Sequence, residues 1–285
     1  MRIAIASGKG GTGKTTIATG LAISAAEAGE PVSYVDCDVE EPNGHIYLKP
    51  VVHERVPATT AVPRIDPSLC TVCRRCAEVC RFGALAIAGG GVLTFDELCH
   101  ACGACGLVCP TGAISEEHRE TGVVKLGRAD GIGYVGGLLT VGEAMPLPVL
   151  RSVIERIPET ALAVLDAPPG TSCPVVETLS AADAVVLVVE PTPFGLHDFR
   201  LAAELVRELG LPAHVVINKD DGSERGHLAA AEAGFEVLAA FRDDRAVAEM
   251  CSRGDHPVRL DPEYAARMNE LRRVVTTAHA RRGSE

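Results

Sequence analysis

Two near-identical runs of cysteines lie in the middle of the chain. Each run reads C-x-x-C-x-x-C-x-x-x-C, and Pro110 follows the second run. Three closely spaced thiolates can bind three irons of one cubane, and the fourth cysteine of the run then reaches the other cubane. The spacing therefore predicts two [4Fe–4S] clusters with exchanged fourth ligands. The first cluster would use Cys70, Cys73, Cys76 and Cys109, and the second would use Cys99, Cys102, Cys105 and Cys80.

Disulfides and zinc are the alternative uses for the eleven cysteines of this chain. Disulfides are typical of secreted proteins, but the apolar segment at residues 3–7 is too short for the core of a signal peptide. Zinc sites also use C-x-x-C pairs, but they usually take two cysteines from each pair, which does not explain two complete runs. The pattern favours metal ligation in a reducing compartment, and we expect a cytoplasmic protein.

A second segment whose residues could do chemistry is the glycine-rich stretch at residues 8–15. It fits the pattern G-x-x-x-x-G-K-[ST]. Glycines let backbone N–H groups surround phosphate oxygens, and a following helix N-terminus favours the negative charge. Lys14 is expected to reach the β- and γ-phosphates, and the Thr15 hydroxyl to bind Mg²⁺. The predicted nucleotide contacts of this segment are Gly8, Gly10, Gly11, Thr12, Gly13, Lys14, Thr15 and Thr16.

Such a loop works only between a buried strand and a helix, and its neighbours have these patterns. Residues 2–7 are apolar like a central parallel strand, residues 14–28 are an alanine-rich helix, and residues 31–36 are a second strand. Further strands are predicted at residues 161–166, 184–190 and 213–218, with helices between them and a last helix at 262–282. We therefore expect an α/β P-loop NTPase fold with a mainly parallel sheet flanked by helices.

The cysteine runs interrupt this α/β pattern. Between residues 63 and 120, short strands at 84–88 and 92–95 flank a three-glycine turn, and loop, helix and strand occur twice. We predict a small α+β domain of the bacterial 2[4Fe–4S] ferredoxin type at 63–120, stabilised largely by its clusters. Residues 1–62 and 121–285 would form one discontinuous P-loop ATPase domain.

The phosphate loop resembles that of a particular group of ATPases. Its sequence K-G-G-x-G-K-T is similar to the deviant Walker A loop of the MinD, ParA, Mrp and nitrogenase iron protein group. That resemblance implies that Lys9 reaches the nucleotide of a partner subunit. It also implies that Asp38 in switch I orients water or metal, with a lesser role for Asp36. In switch II, Asp166 would hold a Mg²⁺-bound water and the Gly170 N–H would sense the γ-phosphate. The implied catalytic residues are Lys9, Lys14, Asp38 and Asp166.

The base of the nucleotide is less well specified. Asn218 closes a predicted strand, where its side chain is expected to recognise the base. Together with Asp221 it also fits the guanine-reading pattern N-K-x-D. We expect ATP, because the Lys9-type loop is a trait of ATPases in the group that it resembles.

Over nearly its full length the chain resembles MinD-superfamily ATPases that carry an inserted ferredoxin domain. The similar segments are DCDVEEPN at 36–43, APPGTSCP at 167–174 and EPTPFGLHD at 190–198. The resemblance implies an ATP-dependent iron–sulfur protein that dimerises with itself or with a related subunit.

Three cysteines lie outside the two runs: Cys37, Cys173 and Cys251. Cys173 follows Asp166 by seven residues, the spacing of the cluster-ligating cysteine in the nitrogenase iron protein. A cluster bridging two subunits needs a second cysteine upstream, and none occurs between Cys109 and Cys173. Cys173 is therefore either a ligand of a third, dimer-bridging cluster or a small buried or interfacial thiol. Cys251, on a predicted helix, is expected to be structural.

Composition excludes several classes of function. The net charge of −11 argues against nucleic acid as the main partner, because phosphate backbones bind clustered Lys and Arg. No apolar run approaches the roughly 18–20 residues that span a bilayer, so we expect no stable membrane association.

The leading hypothesis is an ATPase that couples nucleotide state to electron transfer through two clusters and an unknown redox partner. The first alternative is an ATP-dependent assembly factor or carrier that delivers an iron–sulfur or heterometal cluster to an apo-metalloprotein. The second is a positioning ATPase of the MinD or ParA type.

Overall fold

The computed structural model describes residues 1–280, with side chains described up to Thr277. Arg281 and Arg282, the end of the predicted last helix, lie outside the described residues.

The main sheet of the described chain has nine strands in the order β11-β10-β9-β1-β8-β2-β7-β6-β3. Its strands are β1 Arg2–Ala6, β2 Val32–Asp36, β3 Val51–Ile65, β6 Ile114–Ala129, β7 Ile132–Leu139, β8 Leu162–Asp166, β9 Ala184–Val189, β10 Ala213–Asp220 and β11 Glu236–Arg242. From β11 to β7 all pairings are parallel, whereas β6 pairs antiparallel with both β7 and β3. The predicted mainly parallel P-loop fold is confirmed, with an antiparallel edge that sequence patterns did not predict.

Helices cover both faces of this sheet. The helices of the described chain are α1 Lys14–Glu27, α2 Gly44–Leu48, α3 Arg75–Val79, α4 Ala104–Leu107, α5 Leu147–Ile154, α6 Cys173–Ser180, α7 Pro193–Glu208, α8 Arg225–Ala233, α9 Arg245–Ser252, α10 Pro257–Leu260 and α11 Pro262–Ala280, of which α3 and α4 lie away from this sheet. One apolar core lies between the sheet and α5, α6, α7 and α8, and the other between the sheet and α1 and α11. Within the described chain, no helix is both long and apolar enough to cross a membrane.

The cysteines lie on a separate projection. Strands β3 and β6 continue as a pair beyond the end of β7, and we call residues 59–65 and 114–121 the arm. The cysteine lobe, residues 66–113, connects the two strands of the arm and contains α3, α4 and the hairpin of β4 Leu85–Ala88 with β5 Gly91–Thr94. The remaining described residues are the body. The sequence pattern predicts domain boundaries at residues 63 and 120, and the paired strands of the arm run through both positions. The division into two domains stays a prediction.

Candidate nucleotide site and cysteine cavities

The phosphate loop connects the end of β1 to the start of α1, as its chemistry requires. Lys14 is the first residue of α1 and is buried, with 7% of its surface exposed. Burial lowers the pKa of the Lys14 ammonium, and the nearby carboxylates of Asp166 and Asp38 oppose that shift. The Thr15 hydroxyl lies close to the Asp166 carboxyl and opposes the rise in its pKa. The predicted phosphate-binding lysine and the switch aspartates therefore lie together.

Gly13 and Asn218 fix the conformation of the loop. Gly13 has φ 90°, and a Cβ there would lie 2.2 Å from Asn218 Nδ2. That amide nitrogen donates a hydrogen bond of 2.7 Å to the Thr12 carbonyl. Only glycine combines the positive φ with this close approach. Asn218, predicted to recognise the base, thus supports the phosphate loop in this structure.

Two buried carboxylates lie side by side at the ends of β2 and β8, where Asp36 pairs in register with Asp166. The Tyr34 hydroxyl donates to Asp166 Oδ2 at 2.8 Å, and the Gly44 N–H donates to Asp36 Oδ2 at 3.0 Å. Burial raises the pKa of the Asp166 carboxyl to about 6. Burial, and then repulsion from Asp166, raises the pKa of Asp36 well above its usual range.

The other oxygens of this pair are available for a cation. Asp36 Oδ1 and Asp166 Oδ1 are buried and have no hydrogen-bond partner among the described residues. Buried oxygens need a partner, and carboxylate and hydroxyl oxygens are the ligands that Mg²⁺ prefers. The pair, with Thr15 beside it, suits a Mg²⁺ ion.

Asp38 and Gly170 occupy different environments in the two switch segments. Asp38 is half-buried and accepts a hydrogen bond of 3.3 Å from the Glu41 N–H. Burial raises the pKa of its carboxyl, and the Lys14 ammonium lowers it. Gly170 has φ 92°, and its N–H donates to the Ser7 carbonyl at 3.0 Å. Before Gly170 could bond to a γ-phosphate, its N–H would have to leave Ser7.

Two further predicted residues have ionic partners in this chain. Lys9 Nζ lies 3.2 Å from Glu190 Oε1, so its cation contacts a carboxylate of its own subunit. Asp221, predicted from the N-K-x-D pattern, forms an exposed ion pair with Arg225 and accepts from the Ser223 N–H at 3.0 Å.

The eight cysteines of the two runs line two cavities in the lobe. Each cavity has three cysteines from one run and the last cysteine of the other, and Ile114 lines both cavities. The first is lined by Cys70, Cys73, Cys76 and Cys109, and the second by Cys99, Cys102, Cys105 and Cys80. These are the two ligand sets that the spacing predicts.

The two cysteine loops repeat the same unusual backbone. Val72 and Ala101, at equivalent positions, have φ 52° and 51°, and Arg74 and Gly103 have φ 71° and 69°. A β-branched residue such as Val72 rarely adopts this region. Alternation of right- and left-handed residues turns successive N–H groups into a concave surface that binds anions. One such group, the N–H of Ala101, points at Cys99 Sγ at 3.5 Å.

The thiols are not arranged around a single ion. Across the described residues, no three or more His, Cys, Asp or Glu side chains are placed to hold one metal ion. Burial raises the pKa of the Cys76 and Cys105 thiols, the third cysteines of their runs, and neighbouring cysteines add to the shift.

Comparison with known proteins identifies the family of this chain. The model of the CobQ/CobB/MinD/ParA nucleotide binding domain family matches residues 3–258. The chain belongs to this family. It is therefore a nucleotide-binding ATPase of the MinD/ParA type. It is 31% identical over 228 residues to the uncharacterized protein MJ0578 of Methanocaldococcus jannaschii. The aligned region covers 77% of this chain and 78% of that protein.

Solved structures of MinD share the fold of this MinD/ParA-type ATPase. The Pyrococcus furiosus cell division ATPase MinD has a TM-score of 0.61 and 20% identity, covering 97% of this chain and 98% of that one. MinD from Pyrococcus horikoshii, solved with Mg-ADP, has a TM-score of 0.60 and 19% identity, with 96% and 95% covered. None of these matches assigns a role to the cysteines.

The three cysteines outside the runs have different surroundings. Cys173 is exposed at the first position of α6, directly after switch II. Cys37 is buried between the switch aspartates, and burial raises the pKa of its thiol. Cys251 is half-buried on α9, which confirms the predicted helix, and lies beside Tyr47.

Sequence patterns missed several side chains of this ATPase site. A Cβ at Gly44 would lie 2.1 Å from the Tyr34 hydroxyl, so the absence of a side chain there lets the N–H reach Asp36. The buried His256 bonds to the Thr16 carbonyl at 3.0 Å. Glu190 ends a predicted strand and begins the segment EPTPFGLHD, but neither pattern indicates its contacts with two lysines. The contacts of His256 with Thr16 and of Glu190 with Lys9 join residues far apart in the chain, so no local signal indicates them.

Proposed function

We propose that this ATPase holds two [4Fe–4S] clusters in its cysteine lobe and couples nucleotide state to electron transfer through them. The observation that carries the proposal is the crossed lining of the two cavities. Each cavity combines three thiols from one run with the last thiol of the other. Four thiolates per cluster, exchanged in this way, are the ligand pattern of two-cluster ferredoxins.

The donor set fits a cluster better than zinc. Zinc sites usually take two thiolates from each C-x-x-C pair, whereas each cavity here has three thiols from one run and the fourth from the other. The repeated left-handed residues add backbone N–H groups, which suit an anionic cluster with bridging sulfides. Strain at Val72 and Ala101 is also typical of a ligand-binding loop. When bound, each cluster would supply a one-electron redox centre.

The nucleotide site supplies the second half of the proposal. Lys14 would bind the phosphates, and Thr15 and Asp166 would hold Mg²⁺ directly or through water. Asp38 would position the attacking water, since it lies at the same site and is only half-buried. Lys9 would act across a dimer of identical or related chains, where it neutralises the developing phosphate charge.

Switch I is linked to the cysteine lobe through the arm. The Leu139 N–H at the end of β7 donates to the Val39 carbonyl, one residue after Asp38, at 2.8 Å. In the next loop, Glu143 pairs with Arg119 of β6, with Nη2 to Oε2 at 2.9 Å. Arg64, on the opposite strand of the arm, pairs with Asp96 of the lobe at 2.9 Å. Reordering of switch I on nucleotide binding would therefore act on the base of the arm.

Switch II is linked to the second cavity through two helices. Glu177 of α6, the helix after switch II, pairs with Arg151 of α5 at 2.8 Å. Arg151 lines a cleft that is also lined by His100 and Cys102, two residues of the second cavity. Movement of α6 would alter this cleft, where a docked redox partner would lie close to the second cluster.

The test is anaerobic purification followed by iron analysis, electron paramagnetic resonance of the reduced protein, and nucleotide hydrolysis. We expect about eight irons per chain, a reversible paramagnetic signal, and hydrolysis of ATP in preference to GTP. Iron well above eight would indicate the dimer-bridging cluster at Cys173.

Other outcomes favour the alternatives. Rapid loss of the clusters to an apo-metalloprotein would indicate an assembly factor or carrier. ATP hydrolysis with no iron and no signal after reconstitution would contradict the redox proposal and leave a positioning ATPase.

A further inference from the structure

Glu190 is the residue after β9, and its carboxylate joins two lysines near the phosphate loop. Its Oε1 accepts from Lys9 Nζ at 3.2 Å and from the Thr192 hydroxyl at 3.1 Å. Its Oε2 accepts from Lys219 Nζ at 3.1 Å. The Glu190 side chain is 12% exposed, whereas those of Lys9 and Lys219 are 28% and 44% exposed, so the carboxylate is the shielded member of this network.

Lys219 is held on the phosphate loop as well as on Glu190. Its Nζ donates to the Gly11 carbonyl at 2.8 Å. Its backbone has φ 53°, in the left-handed region that a lysine seldom adopts. Such a conformation persists only where surrounding contacts fix it. Lys219 is therefore held at two places, the Gly11 carbonyl and Glu190, whereas the Lys9 ammonium bonds to Glu190.

The charges of this network determine how costly it is for one lysine to leave. A partly buried carboxylate without a cation is strongly disfavoured. Burial raises the pKa of the Glu190 carboxyl, but hydrogen bonds from Lys219 and Lys9 outweigh it and hold the pKa below its usual value. If Lys9 departs, Lys219 still compensates Glu190. Departure of Lys9 therefore breaks one ion pair but does not leave the Glu190 carboxylate without a cation.

We propose that Glu190 is a positioning residue that holds Lys9 on its own subunit until nucleotide-dependent dimerisation draws Lys9 to the partner's phosphates. This inference rests on the proposed function, in which Lys9 acts across a dimer. Glu190 then competes with the partner's nucleotide for Lys9 and sets the protein concentration at which the active dimer forms. Lys219 weakens that hold, because it shares the carboxylate.

The test measures ATP hydrolysis and sedimentation over a range of protein concentrations with saturating MgATP. Glu190→Gln keeps the shape of the side chain and removes its charge. We expect the protein concentration for half-maximal dimerisation to fall about fivefold, while the hydrolysis rate per dimer stays within about twofold of the wild type. Glu232→Gln is the matched control, because it removes a carboxylate from an exposed pair with Arg200.

Two further variants separate this role from a merely structural one. Lys219→Met should act in the opposite direction and raise the half-maximal concentration, because Glu190 then holds Lys9 alone. In a Lys9→Ala background, Glu190→Gln should have no further effect, as a double-mutant cycle requires.

Other results would contradict either the positioning role of Glu190 or the dimer itself. An equal shift of Glu190→Gln with and without Lys9, or a loss of rate per dimer alone, would overturn the positioning role. Wild-type protein that stays monomeric with MgATP at every concentration would instead contradict the dimer of the proposed function.

Discussion

The body and the cysteine lobe are stabilised in different ways. The body has two continuous apolar cores, one on each face of the sheet. The lobe buries few apolar side chains, which are Cys76, Ala84, Leu85 and Ala113. It also exposes large apolar groups, which are Leu69, Phe82, Leu93, Phe95, Leu98 and Leu107. So small a core cannot offset the entropy of ordering the chain.

The two regions therefore depend on different ligands. In the body, Asn218 and Gly13 hold the phosphate loop in place by contacts within the chain. In the lobe, the strained loops converge on two cavities lined by thiols. Loss of a ligand should leave the body folded and destabilise the lobe. Substitutions in one region should accordingly spare the ligand of the other.

The largest expected effect is on hydrolysis. Lys14→Ala removes a buried cation next to Asp166 and Asp38, and we expect ATP turnover to fall by at least about a hundredfold. The iron content should be unchanged, because the lobe does not use this residue. Arg245→Ala, which removes a cation that is 93% exposed on α9, is the control for charge. Full hydrolysis by Lys14→Ala would contradict the nucleotide site.

The next largest effect is on iron content, and it tests the crossed ligation. Each cluster should be lost when one of its thiols is removed. Cys80→Ser with Cys99→Ser alters only the second cavity, so about four irons should remain per chain. Cys80→Ser with Cys70→Ser alters both cavities and should remove nearly all iron.

The thiol-matched control for these variants is Cys251→Ser, which should keep all of the iron. Crossed ligation would be wrong if the first pair of substitutions removed all iron and the second pair only half.

Removal of iron should unfold one region only. Treating the protein with a chelator and an oxidant should speed tryptic cleavage at Arg74, Arg75 and Arg81 by at least about tenfold, because local opening of the lobe would become easy. The main thermal transition of the body should change little. Mass spectrometry measures the cleavage at each site, and calorimetry measures the thermal transition of the body. Equal cleavage rates in the lobe with and without iron would refute this prediction.

A smaller effect concerns acid stability of the body near the phosphate loop. Burial lowers the pKa of His256 from 6.5 to about 4. The unfolded state therefore binds the proton more tightly, and stability is lost as pH falls from about 6.5 to about 4.

Comparison with His256→Gln isolates that contribution. Between pH 7 and pH 4 the wild type should lose about 3 kcal/mol more unfolding free energy than the variant. Denaturant unfolding at each pH measures the difference, and parallel curves would show that His256 does not cause it.

Local patterns predicted the parts of the molecule whose partners are near in sequence. The strand, glycine loop and helix predicted at residues 2–28 are confirmed. In this segment the apolar run, the glycines and the helix-forming residues all indicate the same structure. The other parallel strands are confirmed as well, since each is a short apolar run.

Long-range contacts were outside the reach of such patterns. Along the arm, β6 carries Glu116, Glu117, Arg119 and Glu120, and β3 contains Pro63, so neither segment has the apolar alternation of a strand and each depends on pairing with the other. The network of Lys9, Glu190 and Lys219 joins segments far apart in the chain. The sequence shows three charged residues, but their contact with one another depends on the order of the strands in the sheet.

The most direct test of coupling between the two regions is the reduction potential of the clusters with MgADP and with MgATP, measured anaerobically by redox titration. Coupling between the nucleotide switches and the lobe predicts a shift of about 60 mV, which corresponds to a tenfold difference in one-electron affinity. Lys14→Ala should abolish the shift and keep both clusters. Identical potentials in the two nucleotide states of the wild-type dimer would contradict the coupling.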